Sequence, residues 1–152
     1  MRLSLVVPAL AVVMALPLAS QAADKAAAEA LVKEGVDFLR KNGREAFFKE
    51  VNMGSGRFHV KPGNELYLFV NDEKGTTMAN GFNGKLVGGN RWNTKDPDGK
   101  AYVQEYTTKA KAGGSTWVNY KYANPANGKV EEKSTFVMYA EGLLIGCGVY
   151  KR

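Results

Sequence analysis

The 152-residue chain has one cysteine and one histidine, and these two shortages remove several kinds of chemistry. A single cysteine cannot form an internal disulfide. His59 has no second histidine or cysteine at ligand spacing, so it reads as a loop residue rather than a metal ligand or a general base. There is no Ser-His-Asp or Cys-His arrangement and no glycine-rich phosphate motif. Asp96 and Asp98 in "KDPDGK" lack the remaining ligands of a calcium loop and fit a proline-containing turn. The expectation is a non-enzyme with no metal and no cofactor. Blocks of one charge are also missing. The formal net charge is +6, but the basic excess is spread along the chain, which disfavours a nucleic-acid partner and leaves small anions as the more economical one. Internal repeats and low-complexity segments are absent too.

Long apolar runs occur only at the two ends. "MRLSLVVPALAVVMALPLASQA" has one arginine, a short apolar stretch broken by Pro8 and Pro17, and a small-residue finish at Ser20-Gln21-Ala22. This is the pattern of an export signal, too short and too proline-broken for an anchor. Residues 1–22 are therefore expected to be removed, leaving a single domain over 23–152 in the periplasm or secreted, with no membrane span after cleavage. A domain of that length can bury a sizeable core. At the other end, "LLIGCGVYKR" surrounds Cys147 with Leu143, Leu144, Ile145 and Val149. Burial among such residues raises a thiol pKa, so Cys147 reads as an inert core residue rather than a nucleophile.

Between the ends the periodicity is legible. Ala28, Leu31, Val32, Gly35, Val36, Phe38 and Leu39 recur at three- and four-residue steps, which predicts a helix over residues 24–42 with Asp24 able to cap it and Gly43 able to stop it. A short helix from Arg44 to Val51 follows. "ELYLFV", the turn "NDEKG" and "TTMAN" predict a hairpin in which Gly75 takes positive φ. Residues 81–100 hold five glycines and one proline, too irregular for a regular element; a loop of that length is usually functional. A helix over residues 101–112 carries Tyr102 and Tyr106 one turn apart. Strands near residues 115–122, 132–139 and 143–150 are joined by turns short enough to force antiparallel pairing. "YLFV" and "LLIGCGVY" do not alternate polar with apolar, so both faces of the sheet centre should be covered. The expected fold is α+β: a long N-terminal helix behind a five-stranded antiparallel sheet, with a helix and a glycine-rich loop over the front.

The stretches "LYLFVNDEKGT", "GKLVGGN", "KDPDGKAYVQE", "GSTWVNYKYANPANGKVEEKSTFV" and "GLLIGCGVYK" together resemble the single Cache domain, the extracytoplasmic relative of the PAS fold found in bacterial chemoreceptors and sensor kinases. The resemblance implies a small-molecule sensor pocket between sheet and front loop, typically for small organic acids. Two departures stand out. A receptor would continue into a second membrane helix, whereas this chain ends at Arg152, which resembles a free-standing exported form acting in signal transduction through a partner. Related sequences often carry histidine after the second strand, where this one has Asn80.

With a pocket implied, candidate ligand-binding residues follow. Arg91 and Trp92 come just after Gly88 and Gly89, where backbone can approach a ligand closely, and a guanidinium matches a carboxylate with two hydrogen bonds. Lys133, in a context where the family often has lysine, would give an anion its countercharge if it points inward. Tyr67 and Phe69 share one face of the first strand. Trp117 lies on one face of the third strand and Tyr120 and Tyr122 on the other; the register between the third and fourth strands is open, and the choice falls on Trp117. The expected function is therefore periplasmic binding of a small organic anion of the carboxylate class, with a membrane sensor as a possible partner. The alternative is a protein-interaction module that docks on a membrane sensor or redox protein without a small ligand.

Overall fold

The computed structural model describes residues 17–151, with side chains described from Asp24 onward. The expected leader thus lies outside the described residues as far as residue 16. Its last residues form the start of helix α1, Pro17–Asn52, so Asp24 stands inside a helix that begins earlier and does not cap it. The predicted stop at Gly43 is present as a break: its φ of 82° and ψ of 170° interrupt the helical path, and the chain resumes as a second helical segment. Ala28, Val32, Val36 and Leu39, spaced by four and three residues, are buried along one stripe. Phe47 beyond the break and Phe38 before it both close on Phe58, with ring centroids 5.8 and 5.7 Å away.

Strands β1 (Phe69–Asp72), β2 (Thr77–Asn80), β3 (Ser115–Ala123), β4 (Val130–Ala140) and β5 (Leu143–Tyr150) form one sheet in the order β2-β1-β5-β4-β3. All pairings are antiparallel. β1 starts later than the sequence suggests, leaving Tyr67 and Leu68 just outside the ladder. The first hairpin is closed by Asp72, whose carboxylate accepts from the backbone N–H groups of Lys74 and Thr76, and by Gly75 at φ 83°.

The final strand explains itself once it is seen in the middle of the sheet. Leu143, Ile145, Cys147 and Val149 belong to the core under α1. Leu144 joins a second core on the opposite face, made with Tyr102, Tyr106 and Ala110 of helix α2 (Tyr102–Gly113). A strand covered on both sides needs apolar or small residues at every position, which is why "LLIGCGVY" shows no alternation. Cys147 is fully buried and unpaired with any other cysteine; burial pushes its thiol up to about 12.

Candidate functional site

The second face carries the cavity. Its floor is set by β5, where Gly146 and Gly148 point their missing side chains toward the front. A Cβ on Gly146 would lie 2.3 Å from Phe69 Cζ, and one on Gly148 would lie 2.4 Å from Lys133 Cε. The two glycines are thus the space into which a ring and a lysine stem fit. β4 is held opposite β3 so that Lys133 pairs with Tyr120, which puts Tyr120 and Tyr122 on the lysine's side of the sheet.

The front wall is the loop between β2 and α2, and its placement depends on the first hairpin. Arg91 donates its backbone N–H to Gly75 O at 2.7 Å, and the Asn90 amide donates to Lys74 O at 2.9 Å. A Cβ on Gly75 would come within 2.9 Å of the Trp92 nitrogen, so glycine is required there for contact as well as for its φ. The far end of the loop is pinned by Asp96. Its carboxylate accepts from the N–H groups of Asp98, Lys100 and Lys121, and these backbone donors, Lys121 first, hold its pKa below the usual range. Asp96 of "DPDG" therefore serves a turn, as expected, while the Asp98 carboxylate pairs with the Lys121 ammonium at 3.0 Å. No group of acids, histidines and cysteines suited to a metal occurs among the described residues.

The cavity is about 40 Å³ and is lined by Tyr67, Phe69, Arg91, Tyr102, Tyr106, Tyr120, Tyr122 and Lys133, with Asn71 and Asn80 at its side. It is room for roughly three waters or one molecule of a few heavy atoms. Lys133 is 2 % exposed. Its ammonium donates to the Tyr67 hydroxyl at 2.9 Å and lies 4.6, 5.1 and 5.2 Å from the ring centres of Tyr67, Tyr122 and Tyr150, distances at which aromatic faces attract a cation. Burial lowers its pKa to about 8, against the opposing pull of Cys147 and Glu65. The Tyr150 hydroxyl donates to Ala123 O at 2.6 Å. Burial first, and then the neighbouring Tyr150 phenol, push the pKa of Tyr67 up. Burial raises the pKa of Tyr67, Tyr106 and Tyr120, so these phenols remain protonated.

Arg91 enters from the loop. Its guanidinium is 3.4 Å from the Tyr102 hydroxyl, and Tyr102 stacks on Tyr120 with centroids 4.2 Å apart and planes 5° from parallel. The two cations therefore approach one cavity from opposite elements, loop and sheet, across a wall of tyrosine rings. Protonated phenols, a guanidinium and an ammonium all donate hydrogen bonds, so the arrangement suits an acceptor-rich anion.

Four of the six residues expected at the site from sequence meet here: Tyr67, Phe69, Arg91 and Lys133. Trp92 sits beside the cavity rather than in its lining. It is half-buried against the same tyrosine cluster, and its carbonyl accepts from the Gln104 amide at 3.0 Å. Trp117 is on the wrong face. It packs on Phe136 under α1, donates from Nε1 to Glu29 at 3.1 Å and lies beneath the Lys25 ammonium. Its place in the expected lining is taken by Tyr120 and Tyr122. The signal that would have chosen them is the β3–β4 turn: with Ala123 opposite Val130, counting inward brings Tyr120 against Lys133. Tyr102 and Tyr106 were recognisable as neighbours on one helix face, but nothing local says that this face points at the cavity. Asn80 has its side-chain oxygen occupied by the N–H groups of Phe82 and Asn83.

Residues 9–152 match the model of a family described as Single Cache domain 2. Several solved structures have the same fold. A methyl-accepting chemotaxis protein from Vibrio parahaemolyticus is 17% identical with a TM-score of 0.72, covering 87% of this chain and 91% of its own. A structure described as the basis for carboxylic acid recognition by a Cache chemosensory domain is 23% identical with a TM-score of 0.72, covering 88% and 97%. The periplasmic sensor domain of a chemotaxis protein is 24% identical with a TM-score of 0.66, covering 88% and 94%. Among curated protein sequences none matches significantly.

Proposed function

The chain belongs to the Single Cache domain 2 family, and from that premise we propose that it is an extracytoplasmic sensor module holding a small organic anion of the carboxylate class between Arg91 and Lys133. The observation that carries the reading is the convergence of those two cations on one tyrosine-walled cavity of about 40 Å³. A solved fold relative is described as recognising carboxylic acids, which supports the ligand class. Residues 1–22 act as an export leader and 23–152 as the domain, which places the protein in the periplasm or outside the cell; N-terminal sequencing of the exported protein checks the boundary. Occupancy is passed on through a partner, with a membrane sensor as the candidate. No helix among the described residues is long and apolar enough to cross a membrane.

The test is a thermal-shift titration with small mono- and dicarboxylates. A cognate acid raises the melting temperature of the parent protein. Arg91→Ala loses a charge-assisted hydrogen bond, a contribution of about 1.5–3 kcal/mol, and so weakens the acid roughly tenfold to a hundredfold while the fold is retained. Undiminished stabilisation of that variant removes Arg91 from the site, and absence of any stabilising carboxylate overturns the reading.

A further inference from the structure

Lys133 has a property that a simple countercharge does not need. A permanently charged anchor is best served by a guanidinium, which stays protonated in any surroundings. Here the sheet instead delivers a primary amine through the gap left by Gly148 into an aromatic pocket, with a phenol already bonded to its nitrogen. The second cation lining the same space is the fixed charge. Guanidinium and amine together present two different functions to a guest: one holds a carboxylate, the other can add to an electrophilic carbon beside it.

Resting on the anion-binding reading above, we infer that Lys133 forms a reversible imine with a small 2-oxo acid, whose carboxylate is held by Arg91 and whose carbonyl carbon meets Nζ. The unprotonated amine adds to that carbon, and the carbonyl π pair moves to oxygen, which takes up the proton that nitrogen releases. The carbinolamine then loses its hydroxyl as water, with one proton supplied, while the nitrogen lone pair closes the C=N bond. One water leaves for each imine formed, and neither partner is oxidised or reduced. The Tyr67 hydroxyl, 2.9 Å from Nζ, is placed to pass the proton between nitrogen and oxygen. The charged groups facing Nζ are compatible with each stage. The protonated imine keeps the single positive charge that the rings of Tyr67, Tyr122 and Tyr150 already surround, and Glu65 and Cys147 lie near enough to influence it.

Burial adds the reactive form. With its pKa lowered to about 8, the lysine holds roughly a hundredfold more neutral amine at neutral pH than an exposed lysine does, and neutral amine is the nucleophile. The small volume selects guests of two or three carbons.

The experiment uses the purified protein with pyruvate as probe and cyanoborohydride to trap the imine, followed by peptide mass mapping. The expected result is one carboxyethyl group on the peptide carrying Lys133, in at least tenfold excess over any other lysine, suppressed by propionate, which has the same length and no ketone carbonyl. Lys133→Met loses the adduct. Should that variant fail to fold, the propionate competition on the parent protein decides alone. Label spread over exposed lysines without competition, or no label at all, overturns the imine. If pyruvate and propionate both stabilise the protein thermally while no adduct forms, the anion site stands and the imine falls. If the adduct forms at Lys133 but propionate neither stabilises nor competes, the imine stands and the carboxylate anchor falls.

Discussion

A lysine ammonium with 2 % exposure is unfavourable unless something uses the charge, and the pH dependence of stability measures how unfavourable. Lys133 titrates near 8 when folded and near the ordinary lysine value when unfolded. Between those values the unfolded chain binds more protons, so this residue's contribution to stability rises with pH in that window, and the penalty is fully present below it. The magnitude is about 3 kcal/mol. Lys133→Met, which replaces the buried charge with an apolar chain of similar length, is therefore expected to be more stable than the parent at neutral pH, with the difference shrinking as pH rises through 8 toward 10. Urea unfolding of both proteins across that range checks it. The thiol of Cys147 and the buried phenols have raised pKa values and act in the opposite sense at high pH; both proteins share most of that effect, and only the part of the Cys147 shift that Lys133 sets is lost with the ammonium. Anion binding follows the same proton with the opposite consequence. A carboxylate needs the ammonium, so its affinity for the parent declines as pH passes about 8, and a binding titration at several pH values shows whether it does.

At the scale of elements, the site depends on two places where a strand or hairpin gives up a side chain. Gly148→Ala would put a methyl group 2.4 Å from Lys133 Cε and 2.5 Å from Thr135 Oγ1. Crowding of this kind in a packed core costs about 1–3 kcal/mol, and here the lysine stem is what must move, so the variant should lose both stability and carboxylate binding. Gly75→Ala strains a φ of 83° and meets the backbone of Trp92. It is expected to loosen the loop that carries Arg91, weakening the ligand more than it weakens the fold. Comparing unfolding curves with thermal shifts for the two variants separates these outcomes. The elements themselves were legible in the sequence because their cause is local: the three- and four-residue spacing of α1, the positive-φ glycine of the first hairpin and the unalternating strand β5 each announce their geometry. The cavity was legible only in part. Arg91 could be chosen by chemistry, as a cation just after a glycine pair, and Lys133 through the family resemblance, its inward direction being settled only by the sheet register. Trp117 could not be told from Tyr120, because neighbours on a strand differ by one residue of register, and that register is set across the sheet by a turn whose exact pairing the sequence leaves open. Trp92 packs beside the tyrosine cluster without entering the cavity lining, a distinction of depth that side-chain chemistry alone does not reveal.

For the molecule as a whole, the important feature is that the central strand serves both layers. β5 contributes Cys147 to the core under α1 and, one residue to either side, the gaps that admit Phe69 and Lys133 on the opposite face. The break in α1 is tied to the same strand from its other end, since the Arg44 guanidinium donates to Glu141 O in the β4–β5 turn. Loss of the helical layer therefore exposes the strand that floors the cavity, and the two layers are expected to open together. Cys147 reports on that opening. Fully buried and with its thiol pushed up to about 12, it reacts only from an opened state, so its labelling rate at moderate reagent follows the opening equilibrium. Native protein should label slowly and urea should accelerate labelling in step with global unfolding. A carboxylate bound only on the opposite face should nonetheless slow it, by the factor 1 + [L]/Kd that the bound state adds to the closed population. Slowing by the same factor that a direct binding titration gives would show that cavity and core open as one unit. Labelling that ignores a bound ligand would mean that α1 lifts from the sheet while the cavity stays intact.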